Sequence, residues 1–351
     1  MPKVGREYQH LEDLVFIEGS QGAARSIKIL KNISKNINSI YRKWDGNPTI
    51  YFGRDNQGQF SLIGKNGWGK FCAKDSSSLK EFIKKSGNQE EWRNNFAESM
   101  SEVFELFEKS IPEHIRGYYY GDLLYYPSKS YKVNDKNIEF TPNKVTYLVT
   151  SNSNLGQKIK QSKVGIVIHK QYNRFGSDSS ILENIDVFES DSNTLILYPE
   201  KIDYKIKIDN QKLKIIEKFL NMHSQDIDEF LKIEKGFSDI KNIIYTYVNF
   251  CSRNKILDEL ETNFFDWLKS SKVSQSKQDK ILKRHNKNPE ALFSIFWLVI
   301  EIMKIKDSVI DQIDQYNLDI VEYTDSQQGG EGYIISNDKI KLVPRKRWSP
   351  N

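Results

Sequence analysis

The chain has 351 residues with two cysteines, and its 52 basic and 47 acidic side chains give a formal net charge of +5. This length suffices for one large or two ordinary domains, and such an even mixture of charges indicates no particular acidic partner or membrane surface. Cys72 and Cys251 match no metal-binding or redox spacing, no apolar run is long enough to span a membrane, and the first residues do not resemble a signal peptide, so we expect a reducing, cytoplasmic setting.

The N-terminal part of the sequence combines helical and strand patterns. Apolar residues spaced three and four apart predict helices over residues 11–17 and 23–33, separated by a glycine break, and over residues 78–109. Segments with strand character lie at residues 49–52, 60–63, 117–126, 145–150, 165–169 and 194–198. The turn sequence Asp55-Asn56-Gln57-Gly58 joins the first two of these segments into a predicted hairpin.

The C-terminal part changes to long helical periodicity from about residue 211 to residue 320, and strand character returns at residues 332–336 and 339–343. This pattern predicts an α+β fold, in which a mostly helical insertion interrupts a domain of antiparallel sheets. The predicted division is residues 1–205 for the first part of that domain, 206–322 for the insertion and 323–351 for the last strands.

Lys43-Trp44-Asp45-Gly46 stands directly before the first strand of the predicted hairpin. A lysine amine attacks the α-phosphorus of ATP only when it is deprotonated, and Gly46 would permit a tight loop against a bound nucleotide. Three fixed residues are a weak signal in isolation. The alternative is a surface lysine before a hairpin.

Two further sequence motifs follow the Lys43 segment, both near the end of the sequence. Glu331-Gly332-Tyr333-Ile334-Ile335 and Lys339-Ile340-Lys341 begin eight residues apart, as an antiparallel hairpin requires. Together with His10-Leu11-Glu12-Asp13 and the Lys43 segment up to Pro48, they make the sequence resemble the covalent nucleotidyltransferase superfamily of ATP-dependent DNA ligases, RNA ligases and mRNA capping enzymes. The resemblance is closest to an uncharacterised ligase-like nucleotidyltransferase family of tailed phages. It covers about residues 1–200 and 325–351 and excludes the helical insertion.

The resemblance implies that Lys43 attacks ATP and carries AMP through a phosphoramide bond, with Asp45 and Gly46 beside the nucleotide. It implies Mg²⁺ or Mn²⁺ held by Glu331, and Lys339 and Lys341 neutralising the α-phosphate as charge develops. Strand alternation would place these two lysines on one face, with Ile340 and Leu342 on the other.

Other positions match the family pattern less closely. Lys65, in Gly64-Lys65-Asn66-Gly67, suits a second basic element that reaches a phosphate or ribose, and an ordinary hairpin lysine is the alternative. Asp122, where the family more often has glutamate, would bind the ribose hydroxyl or a metal-bound water, or would instead cap a turn. Tyr147 and His169 are candidates for stacking on adenine, and either could equally fill the core.

Two departures concern the contacts to nucleotide and polynucleotide. Pro48 stands where DNA ligases often place an arginine, so Arg42 or Arg54 would have to contact the ribose or phosphate. The sequence ends after the last motif, without the OB-fold of DNA ligases and capping enzymes. A basic stretch could replace that fold as a nucleic-acid clamp, and a solvated surface is the alternative for each stretch. The candidates are Lys272, Lys277, Lys280, Lys283, Arg284 and Lys287 in the insertion, and residues 339–347 followed by Trp348.

These patterns predict an ATP-dependent ligase of RNA or DNA that joins 5′-phosphate and 3′-hydroxyl ends through a lysyl-AMP intermediate. We expect a monomer without membrane contact, in the host cytoplasm if the chain is phage-encoded. The alternatives are a capping-type or small-molecule nucleotidyltransferase, and a non-catalytic nucleic-acid or phage-assembly binding protein that retains the fold.

Overall fold

The computed structural model describes residues 8–36, 39–65, 72–86, 90–174, 177–180, 188, 192–316, 319–325 and 327–345. The helices in these ranges are α1 (Leu14–Ile17), α2 (Ser20–Ser34), α3 (Ser76–Lys85), α4 (Glu91–Ser110), α5 (Asn154–Gln161), α6 (Asn210–Leu231), α7 (Ile240–Arg253), α8 (Phe264–Ser270), α9 (Gln275–Lys287) and α10 (Pro289–Tyr316). The strands are β1 (Gln9–His10), β2 (Ile40–Arg42), β3 (Thr49–Arg54), β4 (Phe60–Gly64), β5 (Gly117–Tyr125), β6 (Lys132–Val133), β7 (Asn137–Phe140), β8 (Val145–Thr150), β9 (Val164–Tyr172), β10 (Ser179–Ser180), β11 (Thr194–Leu197), β12 (Ile320–Thr324), β13 (Gln327–Gln328), β14 (Tyr333–Ile335) and β15 (Ile340–Leu342).

The fold is mixed α+β with several antiparallel sheets, as the sequence predicts. By compactness the chain divides into two units. The helical unit comprises Met1–Arg42, Lys201–Tyr316 and Gly332–Asn351, and the sheet unit comprises Lys43–Glu200 and Asn317–Glu331. No helix among the described residues is long and apolar enough to cross a membrane.

This grouping differs from the division expected from the sequence. The helices after residue 206 do not form a core of their own, because their buried side chains share one apolar cluster with α1 and α2, for example Phe16 and Ile27 with Ile216 and Ile302. The expected boundary at residue 322 also falls inside β12, which pairs with β8.

The larger sheet of the sheet unit has the order β10-β9-β5-β3-β4, with β11 beside β9. The predicted hairpin of β3 and β4 is confirmed, since Arg54 pairs with Phe60 and the Asp55 carboxylate accepts hydrogen bonds from the backbone N–H groups of Gln57 and Gln59. This turn sets the register of β4 against β3, the strand that follows the Lys43 segment.

Helix α4 covers one face of this sheet. Phe52 stacks on Phe107 with ring centroids 4.6 Å apart, and Phe60 meets Phe104 edge to face at 4.9 Å. Because side chains alternate across a strand, the neighbouring positions of β3 and β5 point to the other face. Polar side chains at the start of β3 and in the middle of β5 can therefore be held there.

The second sheet of the sheet unit has the order β13-β12-β8-β7-β6. Its strand β8 has the bounds that the sequence predicts, and the alternation of its buried residues, Val145, Tyr147 and Val149, points one face inward. Tyr147 lies opposite Glu322 of β12 and Phe140 of β7. The sheet unit thus packs two sheets, each of which contributes residues next to the Lys43 segment.

The helical unit contains a sheet in the order β1-β15-β14-β2, in which Arg42 of β2 pairs with Tyr333 of β14. Ile340 and Leu342 of β15 are buried, as strand alternation predicts. The expectation that Lys339 shares a face with Lys341 is wrong, because Lys339 precedes the strand with a φ of +53° in a turn and is exposed.

A buried ionic cluster joins the two ends of the helical unit's sequence. Lys306 Nζ donates to Glu12 Oε1 and to the Val343 carbonyl, both at 2.8 Å. Arg345 donates through Nε to the same Glu12 oxygen at 2.8 Å and through a terminal nitrogen to Asp13. All four charged side chains are at most 2% exposed. Buried charges persist only when they are paired in this way, so the cluster ties α10 and the C-terminal segment to residues 12 and 13.

Asp13 makes the stability of this cluster depend on pH. Burial raises the pKa of Asp13 to about 6, against the lowering effect of Arg345. The folded protein therefore binds this proton more tightly than the unfolded chain does, and the free energy of unfolding should fall as the pH rises from about 4 to about 6. Burial also acts to raise the pKa of Glu12, but the charges of Lys306 and Arg345 hold it below its ordinary value, so the Glu12 contribution is lost as the pH falls.

Asp13→Asn should abolish the decrease in the free energy of unfolding as the pH rises from about 4 to about 6. The decrease at acidic pH that comes from Glu12 should remain. Denaturant unfolding of the variant and the parent protein at a series of pH values measures this. An unchanged slope between pH 4 and pH 6 would show that Asp13 does not titrate there.

Candidate active site

The Lys43 segment crosses from β2 to β3 and is anchored by its second residue. Trp44 is buried, and its ring lies 4.8 Å from that of Tyr147, which packs in turn on Phe140. The Lys43 side chain remains 30% exposed. The tryptophan thus fixes the backbone, while the amine is left accessible.

Asp45 uses its carboxylate to hold the loop in place. Its oxygens accept hydrogen bonds from the Asn143 side chain at 2.9 Å and from the backbone N–H groups of Lys144 and Val145 at 2.9 and 3.2 Å. Its own backbone N–H donates to the Tyr147 hydroxyl at 2.6 Å. These contacts link the segment to the start of β8, and they satisfy the charge of a residue that is nearly buried.

Lys43 forms an ion pair with Glu331. Burial raises the pKa of the Glu331 carboxyl, the charge of Lys43 opposes that rise, and the neighbouring Asp45 and Asp122 add to it. A carboxylate with a raised pKa accepts a proton more readily than an exposed one. Glu331 is thus both the counter-ion of the amine and a suitable acceptor for its proton.

Asp122 lies in β5 directly opposite Thr49, at the start of β3. Its Oδ2 accepts a hydrogen bond from His169 Nε2 at 3.0 Å. Burial acts to raise the pKa of Asp122, but hydrogen bonds from His169 and Thr49 and the charge of Lys43 outweigh it and hold that pKa below its ordinary value. Asp122 is therefore an oriented, ionised carboxylate beside the lysine.

A cavity of about 700 Å³ brings these groups together. It is lined by residues that are widely separated in the sequence, among them Lys43, Asp45, Gly46, Lys65, Asp122 and Glu331. Its volume is in the range typical of small-molecule sites. Lys65, at the end of β4, is exposed and donates its backbone N–H to the Thr49 carbonyl. Asn66 and Gly67 of the same predicted motif lie outside the described residues.

Position 46 requires glycine because the backbone there lies close to β5. A Cβ atom at this position would lie 2.6 Å from Asp122 Cβ and 2.7 Å from the Leu123 carbonyl oxygen. Gly46→Ala should therefore lower the free energy of unfolding by about 1–3 kcal/mol and displace the loop that carries Lys43. Gly64→Ala is the matched control, because Gly64 lines the same cavity and a Cβ there meets nothing within 4 Å. Thermal unfolding of both variants tests this, and equal melting temperatures would contradict it.

Several predicted site residues lie elsewhere. Arg54 is buried and donates to the backbone carbonyls of Glu108, Ile111 and Gly58, so its guanidinium supports the hairpin and cannot contact a ribose. Tyr147 is completely buried between Trp44 and Phe140, and its hydroxyl is bonded to Asp45, so no ring face is open for adenine.

The remaining basic candidates belong to the helical unit. Arg42 is buried at the end of β2, Lys339 precedes β15 and Lys341 is the middle residue of that strand. Lys341 acts electrostatically on Asp13 of that unit. Four of the helical clamp candidates contact their own unit: Lys277 with Asp239, Lys280 with the Gly236 carbonyl, Arg284 with the Phe230 carbonyl and Lys287 with Glu229. Residues 346–348 of the basic C-terminal stretch lie outside the described residues.

The carboxylates of Glu331 and Asp122 are the candidate ligands for a divalent metal ion in this cavity. Among the described residues there is no group of three or more histidine, cysteine, aspartate or glutamate side chains arranged to hold a metal. Two carboxylates nevertheless suit Mg²⁺, which usually takes one or two protein carboxylates and completes its shell with water and substrate phosphates. The donor set fits a metal that arrives with a nucleotide.

Comparison with known proteins gives a family for the whole chain. A model described as "Family of unknown function (DUF6267)" matches residues 7–351. The chain belongs to the DUF6267 family. Searches of the curated proteins and of the solved structures give no match. Inferences about the chemistry of this DUF6267 chain therefore come from its own residues.

Three contributors to the DUF6267 site were not predicted from the sequence in their observed roles. Asn143 holds Asp45, Thr49 bonds Asp122, and His169 orients Asp122 instead of presenting a ring for stacking. Thr49 begins β3 directly after the motif, and Asn143 follows a proline before β8, so a polar residue at a strand entry was the available signal.

Proposed function

We propose that this protein is an ATP-dependent polynucleotide ligase that works through a covalent lysyl-AMP intermediate. The observation that carries the proposal is the meeting of Lys43, Asp122 and Glu331 at one cavity, although they are far apart in sequence. An accessible lysine amine beside a partly buried carboxylate that can take its proton suits nucleophilic attack on phosphorus, which requires a neutral amine.

In the proposed first step, the Lys43 Nζ–phosphorus bond forms as the bond from the α-phosphorus to the β-phosphate oxygen breaks, and pyrophosphate leaves. The amine proton passes to Glu331, which contacts it and has a raised pKa. Asp45 and Gly46 keep the Lys43 loop close to Asp122. The Asp122 carboxylate is oriented by His169 to accept a hydrogen bond from a ribose hydroxyl. AMP then moves to a 5′-phosphate end, and a 3′-hydroxyl displaces it.

Asp122 would hold Mg²⁺ or Mn²⁺ in this step, and Glu331 would bind the ion after it has released the amine proton. The ion would supply charge neutralisation on the phosphates. Lys65 is placed to contact a phosphate at the rim of the cavity. Phosphoryl transfer needs little beyond such positioning and charge.

Incubation of the protein with α-labelled ATP and Mg²⁺ tests the proposal. We expect a label that survives denaturation and alkali, is released by acid as a phosphorus–nitrogen bond requires, and maps to the peptide that contains Lys43. Parallel reactions with the other three nucleoside triphosphates test the capping-type alternative, which predicts a preference for GTP. Absence of any covalent label with all four nucleotides would refute the nucleotidyltransferase function.

A further inference from the structure

A second cavity of the sheet unit adjoins the candidate active site. Its volume is about 710 Å³, and Trp92, Tyr126 and Lys129 are among its lining residues. Asn47, Pro48 and Phe96 line both cavities. The shared wall is therefore the end of the Lys43 segment together with one aromatic side chain of α4.

Exposed aromatic rings lie in both cavities. Phe82, in the active-site cavity, is 44% exposed, and Trp92, in the second cavity, is 56% exposed. Phe96 lies at the shared wall and meets Tyr126 edge to face at 5.9 Å. Large aromatic side chains left open in a concave surface are typical of binding sites, because their exposure opposes folding without such a role.

Positive charge lies beside the exposed rings, and the three carboxylates of the active-site cavity, those of Asp45, Asp122 and Glu331, are held by Asn143, His169 and Lys43. The Arg93 guanidinium carbon lies 4.8 Å from the ring centroid of Trp92, and Lys65 lies at the rim of the active-site cavity. The acidic side chain of the second cavity, Glu98, is paired with Lys80 and Lys84 at 2.5 and 2.9 Å, so its charge is compensated. Exposed aromatic rings with cations nearby are typical of sites where proteins stack bases and bind phosphates.

We infer that the two cavities form one track for a single-stranded nucleic-acid end, whose bases stack on Phe82, Phe96 and Trp92. The inference rests on the proposed function and defines its polynucleotide substrate. Bases paired inside a duplex present only their edges, so stacking on these rings requires unpaired nucleotides. Stacking does not depend on sequence, because every base has a flat face. The track passes Asn47 and Pro48 and so leads the strand past the Lys43 loop.

The test measures oligonucleotide binding without ATP, by fluorescence anisotropy of short 5′-phosphorylated DNA and RNA probes. The double variant Phe82→Ala/Trp92→Ala should bind single-stranded probes about tenfold more weakly or worse, and each single variant should show part of the loss. The parent protein should prefer single-stranded probes to a blunt duplex of the same length. Labelling of Lys43 by ATP should stay within about twofold in Trp92→Ala, because Trp92 lines only the second cavity.

Tyr198→Ala is the matched control, because Tyr198 is a 40% exposed aromatic residue of the sheet unit that lines neither cavity. Thermal unfolding of all variants shows whether they are folded. Three results would each overturn the track. They are an unchanged affinity of the double variant, no binding of single-stranded probes by the parent protein, and equal affinity of the parent protein for duplex and single-stranded probes. Loss of Lys43 labelling without loss of oligonucleotide binding would also overturn it and assign Phe82 to the nucleotide. If the parent protein is not labelled but its single-strand binding depends on both rings, the ligase proposal fails and the track stands.

Discussion

Lys43→Arg should lower covalent labelling by ATP by more than about a thousandfold while leaving the fold and nucleotide binding intact. Arginine keeps the positive charge that Glu331 requires, but a guanidinium does not become a neutral nucleophile at any ordinary pH. Labelling after gel separation, circular dichroism and binding of a non-hydrolysable ATP analogue measure the three quantities separately. The contrast between intact binding and absent label isolates nucleophilic attack.

Lys144→Arg is the matched control, because Lys144 is an exposed lysine of the same unit whose backbone, not its amine, contacts Asp45. It should be labelled like the parent protein. Lys43→Met should differ from Lys43→Arg by also lowering stability, because it leaves the Glu331 carboxylate buried without its counter-ion. Persistent labelling of Lys43→Arg would assign the nucleophile to another residue.

Arg345→Met should lower the free energy of unfolding by about 3–5 kcal/mol, the usual cost of removing one partner from a buried ionic cluster. The guanidinium donates to Glu12, Asp13 and the Asn249 side-chain oxygen, and it is almost fully buried. Methionine fills similar volume but leaves Asp13 without its main positive partner. Denaturant unfolding at pH 7, where the Asp13 carboxyl is ionised, should show the full effect.

The second variant Arg345→Met/Asp13→Asn should recover part of the lost stability, since it removes the carboxylate that Arg345 had compensated. Lys269→Met provides the control in the same unit, because that lysine is 78% exposed and should change stability by less than about 0.5 kcal/mol. A loss below about 1 kcal/mol for Arg345→Met would mean that water or a rearranged Lys306 replaces the guanidinium.

Local sequence patterns predicted local structure well. The Asp55 turn, the alternating strand β8 and the long apolar periodicity of α6 and α10 each depend on residues within a few positions of one another. The spacing of apolar residues shows that a helix has an apolar face, but it does not show which other element packs against that face. Residues 206–322 were therefore expected to form an insertion, although the buried side chains of the helices in this range share a core with α1 and α2.

The candidate site was predictable where a motif carries its own chemistry, as at Lys43, Asp122 and Glu331, which line one cavity. The supporting residues were not. Tyr147 was expected to stack on adenine, because an aromatic residue in a half-buried strand gives no sign of which side faces a core, and it is buried. Lys339 was expected to follow strand alternation, but a left-handed turn residue does not.

The pairing of β2 with β14 has a consequence for the order in which the protein is made. Arg42, opposite Tyr333, is followed at once by Lys43, and Glu331 comes two residues before Tyr333, so both members of the ion pair lie next to these strands in the sequence. About 290 residues separate them in the chain. At ordinary ribosome speeds the amine emerges roughly 15–60 s before its carboxylate. A nascent chain thus lacks the Lys43–Glu331 ion pair until residue 331 has been synthesised, and the cavity that both residues line forms only after that point.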